Sequence, residues 1–187
     1  SGLLGSAMAR RLASTGEEVV AWNRTPGKAE QAGLRSEMSV SAVAERAKVI
    51  FLCLFDSAAV RAVLCEHGLL VSTGRGTVVI DTTTNDYRTV GDFHEACRQR
   101  GVLYVEAPVL GSVGPALQGK LTALASCTDE AFGAAKPRGR RQRLGGRCKP
   151  AGDLAQQYPD YVCRVTADDG DIGRGHMQRF QDVETRT

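Results

Sequence analysis

The chain has 187 residues, enough for one domain and an extension, with 42% hydrophobic and only 5% aromatic residues. No apolar run approaches the roughly 20 residues of a membrane-spanning helix, which argues against a helical membrane protein and for a core of Val, Leu, Ile and Ala. The net charge of +3 is uneven: Lys136 to Lys149 carries seven basic residues and no acid, leaving −4 for the remainder, so the basic character belongs to one short run.

From Ser1 to about Ala135 helix and strand patterns alternate. Leu4 to Ser14 has apolar residues at Leu4, Met8 and Leu12, a helical spacing that Gly16 stops. Val19 to Trp22 reads as a short buried strand, and Pro26 opens a helix that Gly33 closes. Ser39 or Ser41 can cap a helix through Arg46. Val49 to Leu54 is a continuous apolar run, the expected signature of a strand covered on both faces. Asp56 can cap a helix from Ser57 to about Cys65, and Gly74 and Gly76 mark a turn.

The alternation continues with a strand at Val78 to Ile80 ending at Asp81. A helix starts at Asn85 or Asp86 and runs to about Arg100, where Gly101 ends it. Leu103 to Val105 and Leu121 to Ala125 read as strands, and Asp129 can cap a helix to about Ala135. Strands alternating with helices imply βαβ units, right-handed crossovers and a parallel sheet. The six cysteines form no C-x-x-C pair and no Cys/His cluster of zinc spacing, so reduced structural thiols in a reducing compartment are expected.

The opening residues S-G-L-L-G-S-A-M-A place Gly2 and Gly5 as the second and third glycines of a G-x-G-x-x-G loop, with Leu3 and Leu4 between them. Gly2 would let the backbone approach a pyrophosphate, and Gly5 would seat the helix close to the sheet. The helix N-terminus would then offer free N–H groups to the phosphates. The first glycine and the strand before it would lie upstream of Ser1. About 20 residues on, the next strand ends in Asn23, Arg24 and Thr25, where an NAD-selective site usually has a carboxylate for the ribose hydroxyls. An arginine fork suits a 2′-phosphate instead, so NADP(H) is expected over NAD(H).

Four motifs in order carry a resemblance: G-L-L-G-S-A-M-A-R-R-L, V-V-A-W-N-R-T-P-G-K-A-E, D-T-T-T and E-A-P-V-L-G-S-V-G-P-A-L-Q-G-K-L. Together they resemble the β-hydroxyacid dehydrogenase family. That family includes 3-hydroxyisobutyrate dehydrogenases and glyoxylate/succinic semialdehyde reductases, and its N-terminal domain is similar to that of 6-phosphogluconate dehydrogenase. The W-N-R-T-P-x-K-A segment resembles the NADP-preferring reductase branch. The resemblance covers residues 1 to about 137 and implies a Rossmann-like, doubly wound parallel α/β sheet, here lacking its first strand.

The resemblance also implies roles. Leu54, Phe55 and Asp56 match the loop beside the nicotinamide, without the proline common there. Thr83 and Thr84 match hydroxyl residues near the nicotinamide ring, Thr84 being taken as the cofactor contact. Leu110, Gly111 and Ser112 match the loop that holds a small substrate carboxylate, with Leu110 where serine is usual. Lys120 matches a variable position and is not the catalytic lysine. The segment that carries the family's proton-donating lysine has no counterpart in this chain. The intact family forms homo-oligomers.

Two segments are therefore expected: a dinucleotide-binding domain over residues 1–135, truncated at its N-terminus, and an unpatterned tail over residues 136–187, basic and then mixed. The abrupt loss of pattern after A-F-G-A-A-K-P suggests a disordered or frame-shifted tail. The favoured reading is a chain that binds NADP(H) but is catalytically incomplete, in preference to a working reductase. A non-enzymatic nucleotide- or polyanion-binding protein is the alternative. Nucleic acid is disfavoured as a partner, because no aromatic is interleaved with the basic run and no nucleic-acid motif accompanies it. A cytoplasmic location is expected, with the mitochondrion as the alternative.

Overall fold

A computed structural model describes residues 2–135 of the chain. The first helix, α1 (Leu3–Ser14), precedes a short parallel pair, β1 (Val20–Ala21) and β2 (Arg35–Ser36), linked by α2 (Lys28–Gln31). α3 (Val40–Arg46) leads into a parallel three-stranded sheet of β3 (Val49–Leu52), β4 (Val78–Asp81) and β5 (Leu103–Glu106), in the order β3-β4-β5. Between β3 and β4 lie α4 (Ser57–Arg61), a π-helical turn (Ala62–Glu66) and α5 (Leu69–Ser72); α6 (Tyr87–Gln99) joins β4 to β5. β6 (Val109–Leu110), α7 (Val113–Leu117), antiparallel β7 (Thr122–Ala123) and α8 (Asp129–Ala135) follow. This is a Rossmann-like α/β fold, as the alternating pattern requires.

Local chemistry sets most boundaries. Ser39 Oγ accepts from the Ala42 N–H at 3.1 Å and Asp56 Oδ1 from the Ala59 N–H at 2.8 Å, each satisfying a donor that a helix start leaves unpaired. Asp86, rather than Asn85, caps α6 by accepting from the Arg88 N–H at 3.0 Å. α6 ends before Gly101, whose φ of 67° lies in the left-handed region that glycine adopts without penalty. The expected Asp129 cap is corrected: Thr128 Oγ1 accepts from the Ala131 N–H at 3.2 Å, one residue earlier. The expected strand at Leu121 to Ala125 contracts to Thr122–Ala123, because its partner β6 is itself two residues long.

The core lies on both faces of the three-stranded sheet. On one face Ile50, Leu52, Val79 and Tyr104 pack with Val60, Leu64, Leu69 and Phe93. On the other, Val78 and Val105 pack with Cys127 and Ala131 from the α8 region. That second layer stops short of β3. Register places Val49 beside Val78 and Phe51 beside Ile80, yet Val49 and Phe51 are 42% and 43% exposed. The expectation of a strand covered on both faces is therefore corrected. Val49-Ile50-Phe51-Leu52 is apolar throughout, but α8 packs mainly on β4 and β5, and β3 is an edge strand among the described residues.

Candidate functional site at the carboxyl edge of the sheet

Gly2 caps α1 with an extended backbone (φ −69°, ψ −176°), and its carbonyl accepts from the Ser6 N–H at 3.0 Å. A side chain at Gly2 would meet nothing within 4 Å, so the surface beside it is open. Gly2 and Leu3 are exposed and Leu4 is half-buried. Gly5 and Ala7 are the buried positions of the helix, so its close packing rests on small residues more than on Leu4, Met8 and Leu12. The first-turn N–H groups have no acceptor one turn back, which leaves a weakly positive end turned to solvent.

The Asn23–Arg24–Thr25 turn follows β1, whose Ala21 packs in one cluster with Ala9 of α1. It links β1 to α2, and α1 is fastened to α2 by the Arg10 Nε–H donated to the Ala32 carbonyl at 2.7 Å. Ala9 packs with Ala29, Ala32 and Leu34. Asn23 Nδ2 donates to the Thr25 carbonyl at 2.9 Å and tightens the turn. Arg24 is exposed, and it enters no ion pair among the described residues. The turn thus presents a guanidinium with no internal carboxylate to neutralise it.

β3 and β4 run parallel and in register, so the segments after them emerge at one edge of the sheet. Asp81, fully buried at the end of β4, organises that edge. Its Oδ1 accepts from the Thr83 N–H at 2.9 Å. Its Oδ2 accepts from Asn85 Nδ2 at 2.9 Å and from the Tyr104 hydroxyl at 2.7 Å. Thr83 Oγ1 in turn accepts from the Leu54 N–H at 3.1 Å. Ser57 Oγ bonds Asn85 Oδ1 at 3.1 Å and accepts from the Asp86 N–H at 2.7 Å.

This placement separates the two threonines. Thr83 is 2% exposed and its oxygen is committed to Leu54, so it faces the protein. Thr84 is exposed beside it. Leu54 is half-buried and joins the main core, whereas Phe55 is 93% exposed. Charge around Asp81 is costly. Burial first, then the Asp81 charge and hydrogen bond, push the Tyr104 hydroxyl far above the ordinary phenol range, so Tyr104 remains a donor. Burial first and then Asp81 raise Glu106. Burial likewise raises the Cys53 thiol, against the lowering effect of its bond with Thr82.

Leu110 ends β6, and Gly111 and Ser112 link it to α7; all three are exposed, and α7 packs against α1. Ser112 starts α7 without a side-chain capping bond. Gly111 has φ 137°, a conformation that favours glycine, and a Cβ there would fall 2.7 Å from Leu121 Cδ2, so the end of that leucine would have to shift. Lys120 is exposed, with its backbone N–H bonded to the Pro115 carbonyl at 2.8 Å. Lys136, Lys149 and the basic run lie outside the described residues. The sequence motifs missed the Asp81–Tyr104–Asn85–Ser57 network. The signal for it is the register of Val79 with Tyr104, which sets the tyrosine diagonal to Asp81 on the same sheet face.

Residues 1–138 match the family model described as the NAD binding domain of 6-phosphogluconate dehydrogenase. Glyoxylate/succinic semialdehyde reductase 1 of Arabidopsis thaliana is 34% identical over 129 residues, covering 67% of this chain and 45% of the reductase. Cytokine-like nuclear factor N-PAC of Homo sapiens is 32% identical over 129 residues, covering 67% of this chain and 23% of that protein. The solved structure of Psf3 in complex with NADP+ and 2-OPP is 34% identical with a TM-score of 0.65, over 71% of this chain and 49% of that one. Mycobacterium tuberculosis 3-hydroxyisobutyrate dehydrogenase with L-serine shares the fold, with a TM-score of 0.69 at 23% identity over 73% of this chain and 47% of that one. The chain therefore spans less than half the length of each of these proteins.

Proposed function

This chain belongs to the family of the NAD-binding domain of 6-phosphogluconate dehydrogenase, and from that membership we propose that residues 2–135 bind a dinucleotide and prefer NADP(H). The observation that carries the preference is the turn at the end of β1, where an exposed Arg24 free of ion pairs among the described residues stands in place of a carboxylate. The pyrophosphate would lie over Gly2, Leu3, Leu4 and Gly5 at the start of α1. The 2′-phosphate would take Arg24, with Asn23 and Thr25 shaping the turn. Leu54, Phe55 and Thr84 would meet the nicotinamide end, and Leu110, Gly111 and Ser112 a small carboxylate substrate. When bound, the cofactor supplies a hydride for an oxidoreductase of the β-hydroxyacid dehydrogenase type.

Reduction of a carbonyl also needs a proton donor, and residues 2–135 offer no lysine suited to it. Lys48 precedes β3 at the amino edge of the sheet, Lys28 starts α2, and Lys120 lies in the turn after α7. On this reading none of these three lysines delivers the proton. Fluorescence titration with NADPH and NADH tests the reading. NADPH should bind more tightly, and Arg24→Ala should weaken NADPH about tenfold or more while leaving NADH within twofold. Equal affinity for both cofactors in the unaltered protein would count against it.

A further inference from the structure

We propose that Asp81 and Thr83 are positioning residues that lock the Leu54–Ser57 segment to the Thr82–Asp86 segment and so hold Leu54 and Thr84 in a preformed arrangement for the nicotinamide end of the cofactor. The inference rests on the dinucleotide reading above and deepens it. Neither residue needs to touch a ligand: Asp81 is fully buried and Thr83 2% exposed.

β3 and β4 are fixed to one another by their ladder only as far as Leu52 and Asp81, with the Thr82 N–H donated to the Leu52 carbonyl at 2.8 Å as the last backbone bond. Thr82 Oγ1 also donates to that carbonyl, at 2.7 Å. Beyond it the two chains diverge, and side chains take over. Thr83 Oγ1 holds the Leu54 N–H, and Ser57 holds Asn85 and Asp86. Asp81 fixes Thr83 and Asn85 together through its two oxygens. Tyr104, from the next strand, completes the acceptor set of Oδ2 and ties the arrangement to β5. Networks of this kind, satisfied at each member, rigidify the backbone they hold. A surface preformed in this way binds without the ordering cost that a mobile loop would add.

The test compares Thr83→Val, which keeps shape but removes the acceptor for Leu54, with Thr83→Ser, which keeps the acceptor. Amide exchange at Leu54 and NADPH affinity are measured for both, with thermal unfolding confirming that each is folded. Thr83→Val should speed Leu54 exchange and weaken NADPH by about tenfold, and Thr83→Ser should stay within about twofold of the unaltered protein in both. Ser57→Ala, a milder change at the other joint, should weaken NADPH about threefold and serves if Thr83→Val fails to fold. NADPH binding that survives Thr83→Val and Ser57→Ala undiminished overturns the positioning role while leaving the dinucleotide reading intact. Absence of NADPH binding by the unaltered protein overturns that reading and this inference together.

Discussion

Tyr104→Phe isolates one bond of the buried network. The substitution removes a single oxygen and leaves the ring in place, with Phe93 at 6.4 Å and His94 edge-on at 4.8 Å between centroids. Little cavity forms, so the transfer and void terms of a core truncation are small. What is lost is a 2.7 Å hydrogen bond to the buried Asp81 carboxylate, which keeps Asn85 as its sole partner at Oδ2. Hydrogen bonds to charged groups contribute about 1.5–3 kcal/mol, and water cannot readily replace the donor at a fully buried acceptor. A loss of about 2 kcal/mol in a body of this size corresponds to a fall of roughly 6–8 °C in Tm. Thermal unfolding followed by circular dichroism at neutral pH measures it. A shift below about 1 °C would refute the claim that this bond matters to the edge it anchors.

Four further outcomes are expected. Leu64→Ala, at a position with 0% exposure in the main core, should lower unfolding free energy in urea by about 2–5 kcal/mol. Gly111→Ala should destabilise by about 1–3 kcal/mol in the same assay, since it meets both a left-handed φ and the Leu121 side chain. Asp56→Ala should cost about 1 kcal/mol through loss of the α4 cap. Burial holds the His94 imidazole below its ordinary 6.5 in the folded chain, so the unfolded chain binds more protons below that pH. Stability should therefore be whole above pH 6.5 and fall as the pH drops toward the lowered value, and His94→Gln should flatten that part of a pH–Tm profile.

The fold was largely legible because its signals are local. Capping residues such as Ser39, Asp56 and Asp86 and stop glycines such as Gly16 and Gly101 are read from neighbours in the chain. β2 was not, because Arg35-Ser36 is polar and becomes a strand through pairing with Val20 and Ala21. α7 was also missed: Val113-Gly-Pro-Ala-Leu117 has two poor helix formers, and its helix is held by packing against α1. The half-exposed Val49 and Phe51 show the opposite error, where apolar character alone does not say whether a second layer reaches the strand. At the site, motifs pointed to residues that would touch a ligand. Asp81, Asn85, Ser57 and Tyr104 act through one another across 23 or more positions in the longest links, and only strand register brings them together.

NADP(H) binding by this chain requires a phosphate-binding helix start together with a 2′-phosphate-binding turn. Titrating isotope-labelled protein with adenosine 2′,5′-bisphosphate and, separately, adenosine 5′-monophosphate, while following backbone amide shifts, tests it directly. Both ligands should move the amides of Gly2 to Ser6, and only the 2′-phosphorylated one should move Asn23 to Thr25. Identical shifts at Asn23 to Thr25 with both ligands, or shifts confined to other parts of the molecule, would contradict it.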